Sequence, residues 1–109
     1  MEIRMNGYTT DQLEKIIGKR GGSLKLFYDT EDCGCNGVLV LQILDQPYPT
    51  DVLVQTEPFQ VFVDRQQESL FDERLSIEAD PEFPVFKIGS DGSLYTSNAR
   101  LQDLRKQSV

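Results

Sequence analysis

Both cysteines of this 109-residue chain fall in one short stretch, Asp32-Cys33-Gly34-Cys35-Asn36-Gly37, and the sequence holds no histidine. Nearly all soft-metal or thiol chemistry therefore has to pass through these two sulfurs. In an extended segment, residues two apart point to the same side. Gly34 removes the side chain between them and Gly37 extends the conformational freedom, so Cys33 and Cys35 can converge on one ion. Thiolates select soft metals and iron–sulfur clusters. Tetrahedral zinc and most clusters take about four protein ligands, so one chain leaves the set incomplete. The remainder would come from a second copy of the chain, an external thiol such as glutathione, or the carboxylates of Asp29, Glu31 and Asp32. Those carboxylates disfavour a thiolate and argue against a nucleophilic or redox cysteine. They also attract a cation. A second reading stays open, in which Asp32 and Asn36 simply form a turn and the cysteines pack as small hydrophobes.

The flanking sequence must position this stretch. Leu24 to Tyr28 alternates, with Leu24, Leu26 and Tyr28 on one face. Val38 to Leu44 is almost wholly apolar, which suits a central strand buried on both faces. Ahead of these, Met1 to Met5 reads as a short strand. A helix follows, capped by Thr9 with Gln12 completing a capping box, stapled by Tyr8 and Leu13, striped by Leu13, Ile16 and Ile17, and stopped by Gly21-Gly22. Asp45-Gln46-Pro47-Tyr48-Pro49 is a turn. Val52–Gln55 and Phe59–Val63 are strands split by Glu57-Pro58, and Asp64 caps a short internal helix to about Phe71. Leu75–Ala79, Pro84–Ile88 and Leu94–Thr96 continue the β pattern, with Gly89-Ser90-Asp91-Gly92 as a hairpin turn. Ser97 reads as the cap of a last helix carrying Leu101 and Leu104. The expected fold is α+β and mostly β: one domain over residues 1–109, six or seven short strands, an N-terminal helix and a short internal one.

A net charge of -7, from 18 acidic and 11 basic residues, repels phosphate backbones and anionic lipid. Neither nucleic acid nor membrane is an expected partner. The N-terminus has no apolar export segment and Val38–Leu41 is too short to span a bilayer, so the expected location is the cytosol, where thiols stay reduced. No histidine base, nucleophile elbow or phosphate loop is present, and Asp72-Glu73 and Glu78-Ala79-Asp80 read as a solvated face. The expectation is a protein that is not an enzyme.

The order of features carries a resemblance. A capped helix is followed by a strand that leads into Gly34-Cys35-Asn36-Gly37, and later Val61-Phe62-Val63-Asp64 precedes a short helical segment. This is similar to the HesB/IscA-like, or A-type, iron–sulfur cluster biosynthesis family, in which a strand ends in a Gly-Cys-Ser-Gly-type loop and an apolar stretch ends in Val-Asp. The resemblance covers roughly Thr9 to Phe86. It implies a compact, mostly β HesB-like domain and carries Cys35 over as a ligand position. Cys33 is additional. Cluster-carrying members have a second Cys-Gly-Cys near the C-terminus, whereas this chain reads Leu94 to Gln102 without a cysteine, as a divergent branch would.

The resemblance implies a role related to iron–sulfur cluster biosynthesis. Cys33 and Cys35 would bind iron or a cluster, shared across a homodimer, and assembly or recipient proteins would be the partners. The alternative is a protein-interaction module that keeps the fold without metal and uses Tyr48 and Phe59 as aromatic anchors.

Overall fold

Backbone pairing organises the described residues into nine main elements: β1 (Glu2–Met5), α1 (Gly7–Ile17), β2 (Ser23–Asp29), β3 (Val38–Leu44), β4 (Asp51–Gln55), β5 (Val61–Asp64), β6 (Arg74–Ala79), β7 (Val85–Ser90) and β8 (Leu94–Asp103). This is a computed structural model, and the residues it describes are 1–29 and 37–106. The eight strands form one sheet in the order β1-β6-β7-β8-β3-β2-β5-β4. No helix among the described residues is long and apolar enough to cross a membrane.

The sheet curls until its two edges meet. There the Gln55 side chain on β4 replaces strand pairing. Its Oε1 accepts from the Ile3 amide of β1 at 2.6 Å, and its Nε2 donates to the Ile3 carbonyl at 2.9 Å. The near-barrel wraps a core that includes Ile3, Leu24, Leu26, Leu41, Ile43, Val61, Val63, Leu75, Ile77 and Ile88, with Leu13 and Ile17 of α1 packed in. Gln55→Ala removes both seam bonds and is expected to cost about 1–2 kcal/mol, by the net worth of two part-buried hydrogen bonds. Thermal unfolding of the variant checks this as a fall of several degrees.

Helix α1 begins earlier than the capping-box reading places it. Asn6 is the cap, its Oδ1 accepting from the Thr9 amide at 2.8 Å. Thr9 is buried within the helix instead. Its hydroxyl donates to Asn6 Oδ1 and accepts from the Ala79 amide, so it fastens α1 to β6. Tyr8 and Ile16 are exposed, which leaves Leu13 and Ile17 as the buried stripe.

Two further expectations are corrected. Asp64 to Phe71 contains only a 3-10 turn, Glu68–Leu70. Most of the segment expected as a last helix extends β8 to Asp103, and the strands among the described residues number eight rather than six or seven. Asn98 donates its amide to Thr96 Oγ1, a local bond of the kind that caps helices. Here it accompanies a bulge: Phe86 pairs with Ala99 but Ile88 pairs with Thr96, so the β8 side carries an extra residue. Edge pairing on both sides decides the outcome. β7 binds one edge of β8, and β3 takes the other through Leu41↔Leu101 to Ile43↔Asp103.

Candidate functional site: one end of the β2–β3 hairpin

Strands β2 and β3 pair antiparallel without interruption from Ser23↔Leu44 to Asp29↔Val38. They sit in the middle of the sheet, and Leu39 to Leu44 is buried throughout, as expected for a central strand. β2 is described as far as Asp29, and β3 begins at Val38. Cys33, Cys35, Gly34, Asn36, Glu31 and Asp32 lie outside the described residues. Gly37 has φ 110°, a conformation that favours glycine, in line with the freedom expected of it. Among the described residues there is no group of three or more histidine, cysteine, aspartate or glutamate side chains that could hold a metal ion.

The foundation of this end is built mainly by the segment after β5. β5 runs parallel to β2 from Leu24↔Val61 to Leu26↔Val63 and ends at Asp64. Asp64 then turns the chain: its carboxylate accepts from the Gln66 amide at 2.8 Å and its carbonyl from the Gln67 amide at 2.9 Å. This turn brings the Gln67 side chain back to β2. Gln67 Oε1 accepts from the Tyr28 amide at 2.9 Å, and Nε2 donates to the Tyr28 carbonyl at 3.0 Å. The Tyr28 ring lies against Phe71 with centroids 5.5 Å apart, and Phe71 meets Tyr95 at 6.1 Å. Tyr95 accepts from the Asp72 amide through its hydroxyl. Burial, and secondarily the neighbouring Tyr95, raises the Tyr28 pKa above the ordinary phenol value, so this ring is neutral around pH 7.

On the other face of β2, Lys25 is buried and paired with Asp51 of β4. Its ammonium lies 2.8 Å from Asp51 Oδ1 and within 5 Å of the Phe27 and Tyr48 ring centroids, at 4.9 and 4.8 Å. Oδ1 receives no directed hydrogen bond among the described residues, so the pair is a charge contact; Oδ2 accepts from the Tyr48 amide. The sequence signal for this pair is a lysine on the side of β2 that also carries Phe27.

The far end of the hairpin is closed by the C-terminal segment. Arg105 is buried and donates to the carbonyls of Ile16, Ile17 and Gly21 and to the Asp103 carboxylate. Gly22, at φ 154°, leaves room for it: a Cβ there would stand 3.2 Å from Arg105 Cδ and 3.1 Å from the Leu44 carbonyl oxygen. Asp45 accepts from the Lys106 amide, and Arg20 donates to the Lys106 carbonyl. The segment from Asp103 to Lys106 is thereby fixed beside Leu44, six residues along β3 from the cysteine end, about 20 Å at the usual strand rise.

The aromatic anchors of the interaction-module reading divide. Tyr48 is 50% exposed, whereas Phe59 packs partly buried against the core and is not a free anchor. Asp72, Glu73 and Glu78 are exposed, as a solvated face requires.

The family model for iron-sulphur cluster biosynthesis matches residues 1–103. The chain belongs to this family, the A-type, HesB/IscA-like group. Several solved structures share its fold. A proposed Fe-S biosynthesis protein from Lactobacillus salivarius superposes with a TM-score of 0.79 at 15% identity, covering 97% of this chain and 100% of that one. SufA of Escherichia coli, described as involved in biosynthesis of iron-sulfur clusters, gives 0.60 at 15% identity over 83% of this chain and 86% of its own. IscA with the [2Fe-2S] cluster gives 0.61 at 16%, covering 82% and 85%. No curated protein sequence gives a match. The two cysteines of this chain are Cys33 and Cys35.

Proposed function

We propose that this protein binds iron or an iron–sulfur cluster as cargo in cluster biosynthesis, and that Cys33 and Cys35 are its thiolate ligands. The observation that carries the reading is that the chain's two thiols fall in sequence between the ends of the paired interior strands β2 and β3, in a chain of this family. Two thiolates fall short of the four ligands a cluster usually takes, and no histidine can supply the rest. A second copy of the chain, bringing its own pair, completes the set most simply. Asp29 closes the described part of β2 beside this segment, and Asp32 acts at most as an auxiliary oxygen donor. The role is that of a carrier or scaffold rather than a catalyst, serving recipient proteins in the reducing cytosol.

The test is anaerobic reconstitution with iron and sulfide, followed by absorption spectra and metal analysis. Wild type is expected to take up a chromophoric cluster, and Cys33→Ser and Cys35→Ser to lose it. A colourless, iron-free wild type would refute the reading. It would favour the alternative of a metal-free interaction module, for which half-exposed Tyr48 between Pro47 and Pro49 is the remaining anchor.

A further inference from the structure

We propose that Gln67 is a positioning residue for the cysteine segment: it holds the last turn-proximal residues of β2 in strand geometry where β5 no longer can. The inference rests on the proposed metal-binding role of Cys33 and Cys35 and adds the device that sets where their segment starts.

The argument begins with the edge of β2. In a strand, the backbone N–H and C=O of alternate residues face the same neighbour. Leu24 turns its amide to the Gln60 carbonyl, immediately before β5, so Leu26 and Tyr28 face the same way. β5 supplies partners as far as Leu26↔Val63 and ends at Asp64. Tyr28 would then be left with an unpaired donor and acceptor one residue before the end of β2. Burying such groups without partners costs free energy, and leaving them to water lets the strand end fray. Gln67 fills the gap with a primary amide, which has the donor–acceptor pattern of a peptide group. It makes both bonds at 2.9 and 3.0 Å. Asparagine is a methylene shorter, and a carboxylate cannot donate to the Tyr28 carbonyl.

The grip is doubled. Four residues beyond Gln67, Phe71 packs on the Tyr28 ring, so one short turn holds both the backbone and the side chain of the same residue. The turn itself is fixed by Asp64 and by the Leu70 amide donating to the Gln67 carbonyl at 2.9 Å. The Val61-Phe62-Val63-Asp64 run therefore has a physical use at the site: it ends β5 and aims Gln67 at β2. Partners bonded directly to metal ligands commonly set affinity by about 10–100-fold, and Gln67, which bonds Tyr28 rather than a cysteine, is expected at the low end of that range.

The experiment titrates wild type, Gln67→Ala and Gln67→Glu anaerobically with Co(II), whose sulfur-to-metal charge-transfer absorption reports thiolate ligation without cluster assembly. Amide hydrogen exchange at Tyr28 and Leu24 is measured on the metal-free proteins. Gln67→Ala is expected to weaken Co(II) binding by about tenfold or more. It should also speed exchange at Tyr28 while leaving Leu24 protected. Gln67→Glu, which keeps the acceptor alone, should fall between the two. Unchanged Co(II) affinity in Gln67→Ala overturns the proposal while leaving the cysteine reading intact. So does weakened binding with Tyr28 still protected. Faster exchange at Leu24 as well would make Gln67 a general stabiliser and also overturn it. A wild type that shows no charge-transfer band refutes the cysteine reading itself, and the positioning role with it.

Discussion

Asp51→Ala is expected to lower the free energy of unfolding by about 3–5 kcal/mol, the largest effect of any single charge removal in this fold. The magnitude follows from what stays behind. The Lys25 side chain is 4% exposed and that of Asp51 is fully covered, so the substitution leaves an ammonium out of water with only the faces of Phe27 and Tyr48 for company. Cation–π attraction of about 1–2 kcal/mol cannot replace hydration and a counter-charge. The Tyr48 amide loses its acceptor as well, which frees the Pro47–Pro49 turn. Removing both charges together should be much milder. A Lys25→Met, Asp51→Leu double variant forgoes the Coulomb attraction but also avoids the desolvation cost, and replacements of this kind are often neutral. Urea unfolding of both variants checks the pair. A double variant as unstable as Asp51→Ala would show that shape, not charge, governs the site.

Arg105→Ala carries the second large effect, about 3 kcal/mol. The guanidinium bonds three main-chain carbonyls at the end of α1 and in the glycine turn after it, at 2.5 to 3.1 Å. Truncation leaves those acceptors to find other donors and empties the space beside Gly22. Arg105→Lys should recover little, because one ammonium cannot reproduce a planar fork of donors. A pH dependence follows from the same group. The Arg105 hydrogen bond holds the Asp103 carboxyl below its ordinary pKa, despite opposing desolvation. A depressed folded-state value means that this stabilisation is complete above the unfolded pKa of about 3.9 and is lost as pH falls through the folded one. Wild type should lose stability below about pH 4 through this carboxylate, and Asp103→Asn should lack that component. Asp103 is 41% exposed, so the contribution is small beside that of the carbonyl bonds.

Much of this architecture was legible in the residues. Leu24, Leu26 and Tyr28 alternate because one side of β2 faces the core, and Leu39 to Leu44 is apolar except for Gln42 because β3 has neighbours on both edges and is buried throughout. The glycine-punctuated segment between them follows from those two strands. What escaped is non-local. Nothing near Gln55 or Gln67 marks them as strand substitutes, since their partners are 52 and 39 residues away. Asn6 and Thr9 both suit a cap, and the choice is made by β6, which needs the Thr9 hydroxyl. Ser97-Asn98 has the chemistry of a helix start, yet two waiting strand edges turn it into a bulge. Cys33 and Cys35 are proposed from residue type and spacing alone. The brace that Gln67 makes on Tyr28 needed the fold.

Anaerobic native mass spectrometry of the reconstituted protein tests the central claim most directly, because it counts chains, iron and sulfide in one species. Two chains holding one cluster, with the assembly lost in Cys33→Ser and in Cys35→Ser, is the predicted result. Chains that carry no iron under the same conditions, or that carry it equally well after both cysteines are replaced by serine, would contradict it.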